Sequence, residues 1–156
     1  MTVRITLSTD IQKKMVQALK KAGSQEIGGI LMGEHIESEI FRVVDITIQK
    51  NCGTVFSFMR LIDSVTQALR IFFEKTNRQY VRFNYLGEWH SHPSFSPLPS
   101  GKDIESMYEI VNDTEVGTNF VVLLIVRLNS SQLMEGTATA FFPNSRLIPC
   151  DLLLET

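Results

Sequence analysis

Apolar residues recur at helical spacing in three stretches of the chain and at strand spacing between them. Thr9 with Gln12 three positions on has the form of a capping box, and Ile11, Met15, Ala18, Leu19 and Ala22 follow on one face until Gly23 stops the run. Ser64 with Gln67 repeats the start signal ahead of Val65, Ala68, Leu69 and Phe72. Ser100 with Asp103 gives it a third time, ahead of Ile104, Met107, Tyr108 and Val111. All three stripes are core faces. Between them, "EIGGILMGEHIESEIFRVVDITI" reads as a hairpin turning near Glu37 and Ser38. "YVRFNYLGEWHSH" is a strand that enters the third helix through a Pro-rich loop. "NFVVLLIVRL" and "LMEGTATAFF" form a second antiparallel pair joined at "NSSQ", and "RLIPCDLLL" allows a short final strand.

Helices interleave with hairpins, which predicts an α/β chain of the α+β type. Its sheet is mixed, mostly antiparallel and flanked by helices, unlike a doubly wound dinucleotide fold. No repeat or linker divides residues 1–156, so a single domain is expected at this length. "KNCGTVFSFMR", residues 50–60, is the least periodic segment and the candidate mobile loop.

Composition narrows the function classes. The net charge of -2 comes without a basic run, which argues against a nucleic-acid partner. "FVVLLIV" (120–126) is far too short to span a membrane, and "MTVRITLSTD" lacks the apolar core of a signal peptide. Two cysteines, Cys52 and Cys150, make no CxxC; they read as reduced spectators in a cytoplasmic protein.

Candidate chemistry is concentrated in "GEWHSHPSFSPLPSGKD", residues 87–103, which holds two of the three histidines. In a strand, alternate residues share a face, so Leu86, Glu88, His90 and His92 line up and Trp89 and Ser91 face away. Two imidazoles about 7 Å apart on one strand can converge on one cation. Pro93 ends the strand, and the loop can return Asp103 toward them. Two imidazoles and a carboxylate make a three-ligand set with a fourth position left for water, as at a catalytic zinc. Taken alone, these residues also allow plainer readings. His90 and His92 could be a metal-free surface pair, Ser100 and Asp103 a helix cap, and Glu26 an ordinary strand-opening acid. Glu88 could be a solvated strand residue or a neighbour of the metal, and His35, beside Glu34, reads as exposed.

"HSHPSFSPLPSGKD" resembles the signature of the JAMM (MPN, or Jab/Mov34) zinc metalloproteases: H-[S/T]-H-P, a loop of about seven residues, then Ser, two residues and Asp. Glu26, in "QEIGGILMG", fills the place of the upstream Glu. The order of helices and hairpins also fits that fold, which is cytidine-deaminase-like. "GEWHSHP" and the compact size resemble the bacterial Prok-JAB branch. The resemblance implies Zn²⁺ held by His90, His92 and Asp103, Glu26 as general base and Ser100 as oxyanion donor. It further implies hydrolysis of the peptide or isopeptide bond after the tail of a ubiquitin-like protein or conjugate. The implied partners are E1/E2-like enzymes or, in antiphage operons, a cGAS-like nucleotidyltransferase. A non-catalytic MPN scaffold, or a zinc hydrolase trimming a sulfur-carrier protein or a small amide, are the alternatives.

Overall fold

The computed structural model describes residues 2–50 and 62–156, with the side chains of 62–64 excepted. The elements run β1 (Arg4–Leu7), α1 (Thr9–Ala22), β2 (Ile27–Glu37), β3 (Ile40–Ile46), β4 (Gln49–Lys50), α2 (Ile62–Lys75), β5 (Phe83–Ser91), α3 (Gly101–Asn112), β6 (Val121–Leu128), β7 (Met134–Phe142) and β8 (Arg146–Leu154). Strand order is β3-β1-β8-β7-β6-β5-β2-β4, and β3 also pairs with β2. That extra pairing closes the sheet on itself. Most neighbours are antiparallel, but β5 runs parallel to β6, and β1 runs parallel to both β3 and β8.

A closed sheet has an inside, and the apolar pattern shows which face it is. Ile5, Leu7, Leu31, Val43, Trp89, Leu124 and Ala138, from six strands, meet Ile11, Met15 and Leu19 of α1 in one buried cluster. One helix thus lies within the curve of the sheet. The other two cover its outer face. Val65 and Phe72 of α2 pack on Ile30 and Met32, and Met107, Ile110 and Val111 of α3 pack on Val121, Leu123, Ile125 and Phe141. Strands whose two faces both meet helices carry unbroken apolar runs, which is why "VVLLIV" in β6 is buried throughout. Among the described residues, no helix is long and apolar enough to cross a membrane.

Several local expectations are corrected. Ser8, not Thr9, caps α1, accepting from the Ile11 amide at 3.2 Å. Gln12 instead donates to the carbonyls of Leu7 and Glu155, tying the helix to the end of the chain. The second helix begins at Ile62, so Ser64 lies inside it. The final strand is nine residues long and takes part in the closure, as does β1, whose four residues are too few to show a period. The irregular segment 50–60 and Cys52 lie outside the described residues, apart from Lys50 in β4.

Leu86 does not share a face with Glu88. Leu31 pairs with Gly87 but Met32 with Tyr85, so Leu86 is the extra residue of a β-bulge and turns inward beside Trp89. Gly87 makes this possible, with φ of 153° and its Cα pressed against Val122, where a Cβ would collide with the carbonyl. The bulge resets the alternation so that Glu88 and His90 face outward.

Candidate metal centre

His90 and His92 stand at the C-terminal end of β5, where the chain leaves through the loop 93–100 and enters α3. A parallel pair of strands joined through a helix leaves a crevice at the strands' carboxyl ends. Gly28 on β2 pairs with His90; a Cβ there would lie 3.0 Å from His90 Cβ and clash with the Trp89 carbonyl, so glycine leaves the histidine its room. Ser91, facing inward and fully buried, accepts the Ile27 amide at 3.0 Å and fixes the start of β2 against the end of β5.

The structure brings His90, His92 and Asp103 together, with one ligand atom of each within 4.8 Å of the others. The two Nε2 atoms are 3.2 Å apart. Asp103 Oδ1 lies 3.3 Å from His90 Nε2, and Oδ2 lies 3.5 Å from His92 Nε2. Asp103 reaches this place because Ser100 starts the helix with a reciprocal cap. Ser100 Oγ accepts from the Asp103 amide at 3.1 Å, and the Ser100 amide donates to Asp103 Oδ2 at 2.8 Å. The cap and the cluster are therefore one arrangement. Burial works to raise the Asp103 pKa, but the hydrogen bond and charge of His90 and the hydrogen bonds with Ser100 outweigh it and hold the carboxyl down at about 2.

His92 is oriented from its far side. Its Nδ1 lies 2.8 Å from the Ser96 carbonyl, and Phe95 stacks on the ring with centroids 4.1 Å apart. A carbonyl can only accept, so Nδ1 carries a proton, and in the neutral ring this leaves the Nε2 lone pair facing the cluster. Reading the sequence missed Phe95, Ser96 and Ser91 as contributors. A carbonyl's role leaves no mark in residue type, whereas Phe95, an aromatic in an exposed loop, was a usable signal.

Glu26 directly precedes β2 and is half-buried. Continuing the register in which Gly28 pairs with His90 sets it opposite His92, on the outer face. Glu88 is 2% exposed, with its Oε1 unpartnered among the described residues. Burial, then the nearby Asp103 carboxylate, push its pKa up to about 8. His35 is exposed, as expected, and stacks on Phe41. Cys150 is half-buried on β8, on the inner-core side, remote in sequence from the cluster.

A closed mixed sheet around one helix, with two imidazoles and a carboxylate converging where a strand gives way to a helix, defines an α+β protein able to hold a single metal ion at its rim. The chain belongs to the prokaryotic homologs of the JAB domain, whose family model matches residues 8–141. It is 33% identical over 125 residues to a CD-NTase/cGAS isopeptidase of Enterobacter hormaechei subsp. hoffmannii (strain UCI 50), covering 78% of this chain and 66% of that protein. It is 30% identical over 94 residues to the 26S proteasome non-ATPase regulatory subunit 14 of Dictyostelium discoideum, covering 60% of this chain and 29% of that one. The chain thus spans less than two thirds of each of these relatives. The solution structure of a Desulfitobacterium hafniense protein superposes with a TM-score of 0.68 at 18% identity, covering 97% of this chain and 92% of the other, and shares the fold.

Proposed function

We propose that the chain is a zinc-dependent metallopeptidase that hydrolyses the peptide or isopeptide bond after the C-terminal tail of a ubiquitin-like protein or conjugate. The observation that carries this reading is the pre-oriented donor set. His92 has its proton committed to Ser96, and its Nε2 faces His90 Nε2 at 3.2 Å and the Asp103 carboxylate. Two imidazole nitrogens and a carboxylate oxygen at this spacing are a donor set that would suit Zn²⁺. When bound, the ion supplies Lewis acidity that polarises an amide carbonyl and acidifies water.

The chain's own groups do the rest. Glu26 takes the proton of the attacking water and returns it to the leaving amine. Ser100 Oγ uses one lone pair for the Asp103 amide, which leaves its O–H free to donate to the oxyanion of the tetrahedral intermediate. Glu88 is the weaker candidate for the base, because its side chain is almost fully buried, whereas Glu26 is half-buried at the start of β2. The name of the Enterobacter relative, a CD-NTase/cGAS isopeptidase, supports an isopeptide bond as the target and a cGAS-like nucleotidyltransferase as a partner. E1/E2-like enzymes as the other partners and a cytoplasmic location belong to the same proposal.

Elemental analysis of the purified protein tests the ligand set. One zinc per chain is expected, lost in His90→Ala, His92→Ala and Asp103→Ala, since two remaining protein ligands compete poorly with water and chelators. Full zinc occupancy in His92→Ala would contradict it.

A further inference from the structure

Three consecutive carbonyls of the loop between His92 and α3 each accept a hydrogen bond from a side chain. Arg127 Nη1 donates to Phe95 O at 2.9 Å, His92 Nδ1 to Ser96 O at 2.8 Å, and Thr137 Oγ1 to Pro97 O. The outer two donors come from neighbouring strands. Arg127 is on β6 and Thr137 on β7, and both face outward, like His90, which pairs with Ile125, the partner of Thr137. Arg127 is itself held, its Nε donating to Glu135 Oε1 at 2.6 Å on the directly opposite position of β7. Apart from the stacking of Phe95 on His92, the side chains of this part of the loop give it little anchorage: Ser94, Phe95 and Ser96 are exposed.

We propose that Arg127 and Thr137 are positioning residues for His92: by tethering the Phe95 and Pro97 carbonyls to the sheet, they fix the Ser96 carbonyl that sets the imidazole's tautomer and aims its Nε2 at the metal cluster. A single carbonyl on an exposed loop would orient the ring only as well as the loop itself were ordered. Anchoring the residue on each side leaves the intervening peptide little freedom to turn. The two anchors are rooted in adjacent strands in fixed register, so the rigidity of the sheet passes to the ligand. Each makes its hydrogen bond to a loop carbonyl and not to the imidazole, so each acts through the loop. The inference rests on the proposed zinc site, but His92's tautomer is set without the ion.

The test uses the full chain with Thr137→Val, Thr137→Ser, Arg127→Met and the double variant Arg127→Met/Thr137→Val. Zinc affinity is measured by competition with a chromophoric chelator, thermal stability on the zinc-free protein, and the His92 tautomer by nitrogen-15 NMR of the zinc-free ring. Loss of an outer partner of a metal-binding histidine typically weakens affinity by about 10- to 100-fold. Each single loss is expected to weaken zinc binding about tenfold, and the double variant more, with the zinc-free Tm little changed. Thr137→Ser should restore affinity, and the double variant should show mixed His92 tautomers where the wild type shows only Nδ1–H. Zinc affinity in the double variant within about twofold of wild type would overturn the proposal, as would an unchanged tautomer. If the wild type binds no zinc yet the tautomer still responds, the metal assignment fails while the tether stands.

Discussion

Ser100 accepts the Asp103 amide at 3.1 Å and still has a hydroxyl proton to give, so its role as cap and its proposed role as oxyanion donor can be separated by substitution. Ser100→Ala is expected to lose about 1 kcal/mol of stability with the cap and roughly 10²–10³ in kcat with the oxyanion donor. Ser100→Asn should keep most of the stability and lose the rate. Urea denaturation beside steady-state kinetics reads both, and an unchanged kcat in Ser100→Asn would reduce Ser100 to a cap. Cys150 is a residue whose inertness has a cause. Burial, opposed by the Ala140 backbone hydrogen bond and reinforced by Asp151, pushes its thiol up to about 12. The thiolate is the reactive species, so a raised pKa keeps it scarce at pH 8 and makes reactivity climb only toward strongly alkaline pH. In Cys52→Ser protein, iodoacetamide should label Cys150 slowly at pH 8 and rapidly once the chain is unfolded. Fast labelling of the folded protein would refute this.

At the scale of elements, the three helices were legible because each buries a stripe at helical spacing, and Gly23 does end α1, with φ of 60°. Their starts were less legible, because Ser8 and Thr9 are both capable caps and only the backbone decides between them. The bulge in β5 could not be read from alternation, which assumes an unbroken pleat. It was written in the sequence only as Gly87, two positions after Tyr85 and one before Glu88. Gly87→Ala would force a side chain into a backbone conformation open almost only to glycine and against the Val122 carbonyl. The two effects together are expected to cost about 2–5 kcal/mol, measurable by urea denaturation. A loss below about 1 kcal/mol would show that the bulge does not depend on glycine.

At the scale of the whole molecule, the sheet's closure was the least legible feature. It depends on β1, four residues long, running parallel to β3 and β8, whose paired positions lie far away in the sequence, as in Arg4 with Ile40 and with Asp151. No local period carries such a pairing. The candidate cluster was more legible, because His90, His92 and Asp103 lie within 14 positions and the strand, loop and helix that join them are themselves readable. What supports the cluster was not, since Arg127 and Thr137 reach the loop from later strands.

The proposed function has this site cut directly after the tail of a ubiquitin-like protein with Glu26 as its base. The most direct measurement is intact-mass analysis of a candidate ubiquitin-like protein fused through its tail to a reporter and incubated with zinc-loaded enzyme. The wild type is expected to make a single cut immediately after the tail. Glu26→Gln, folded and carrying its zinc, should cut about 10²–10⁴ times more slowly, as the loss of a general base requires. A cut elsewhere, equally fast hydrolysis of free dipeptides, or an undiminished rate in Glu26→Gln would contradict it.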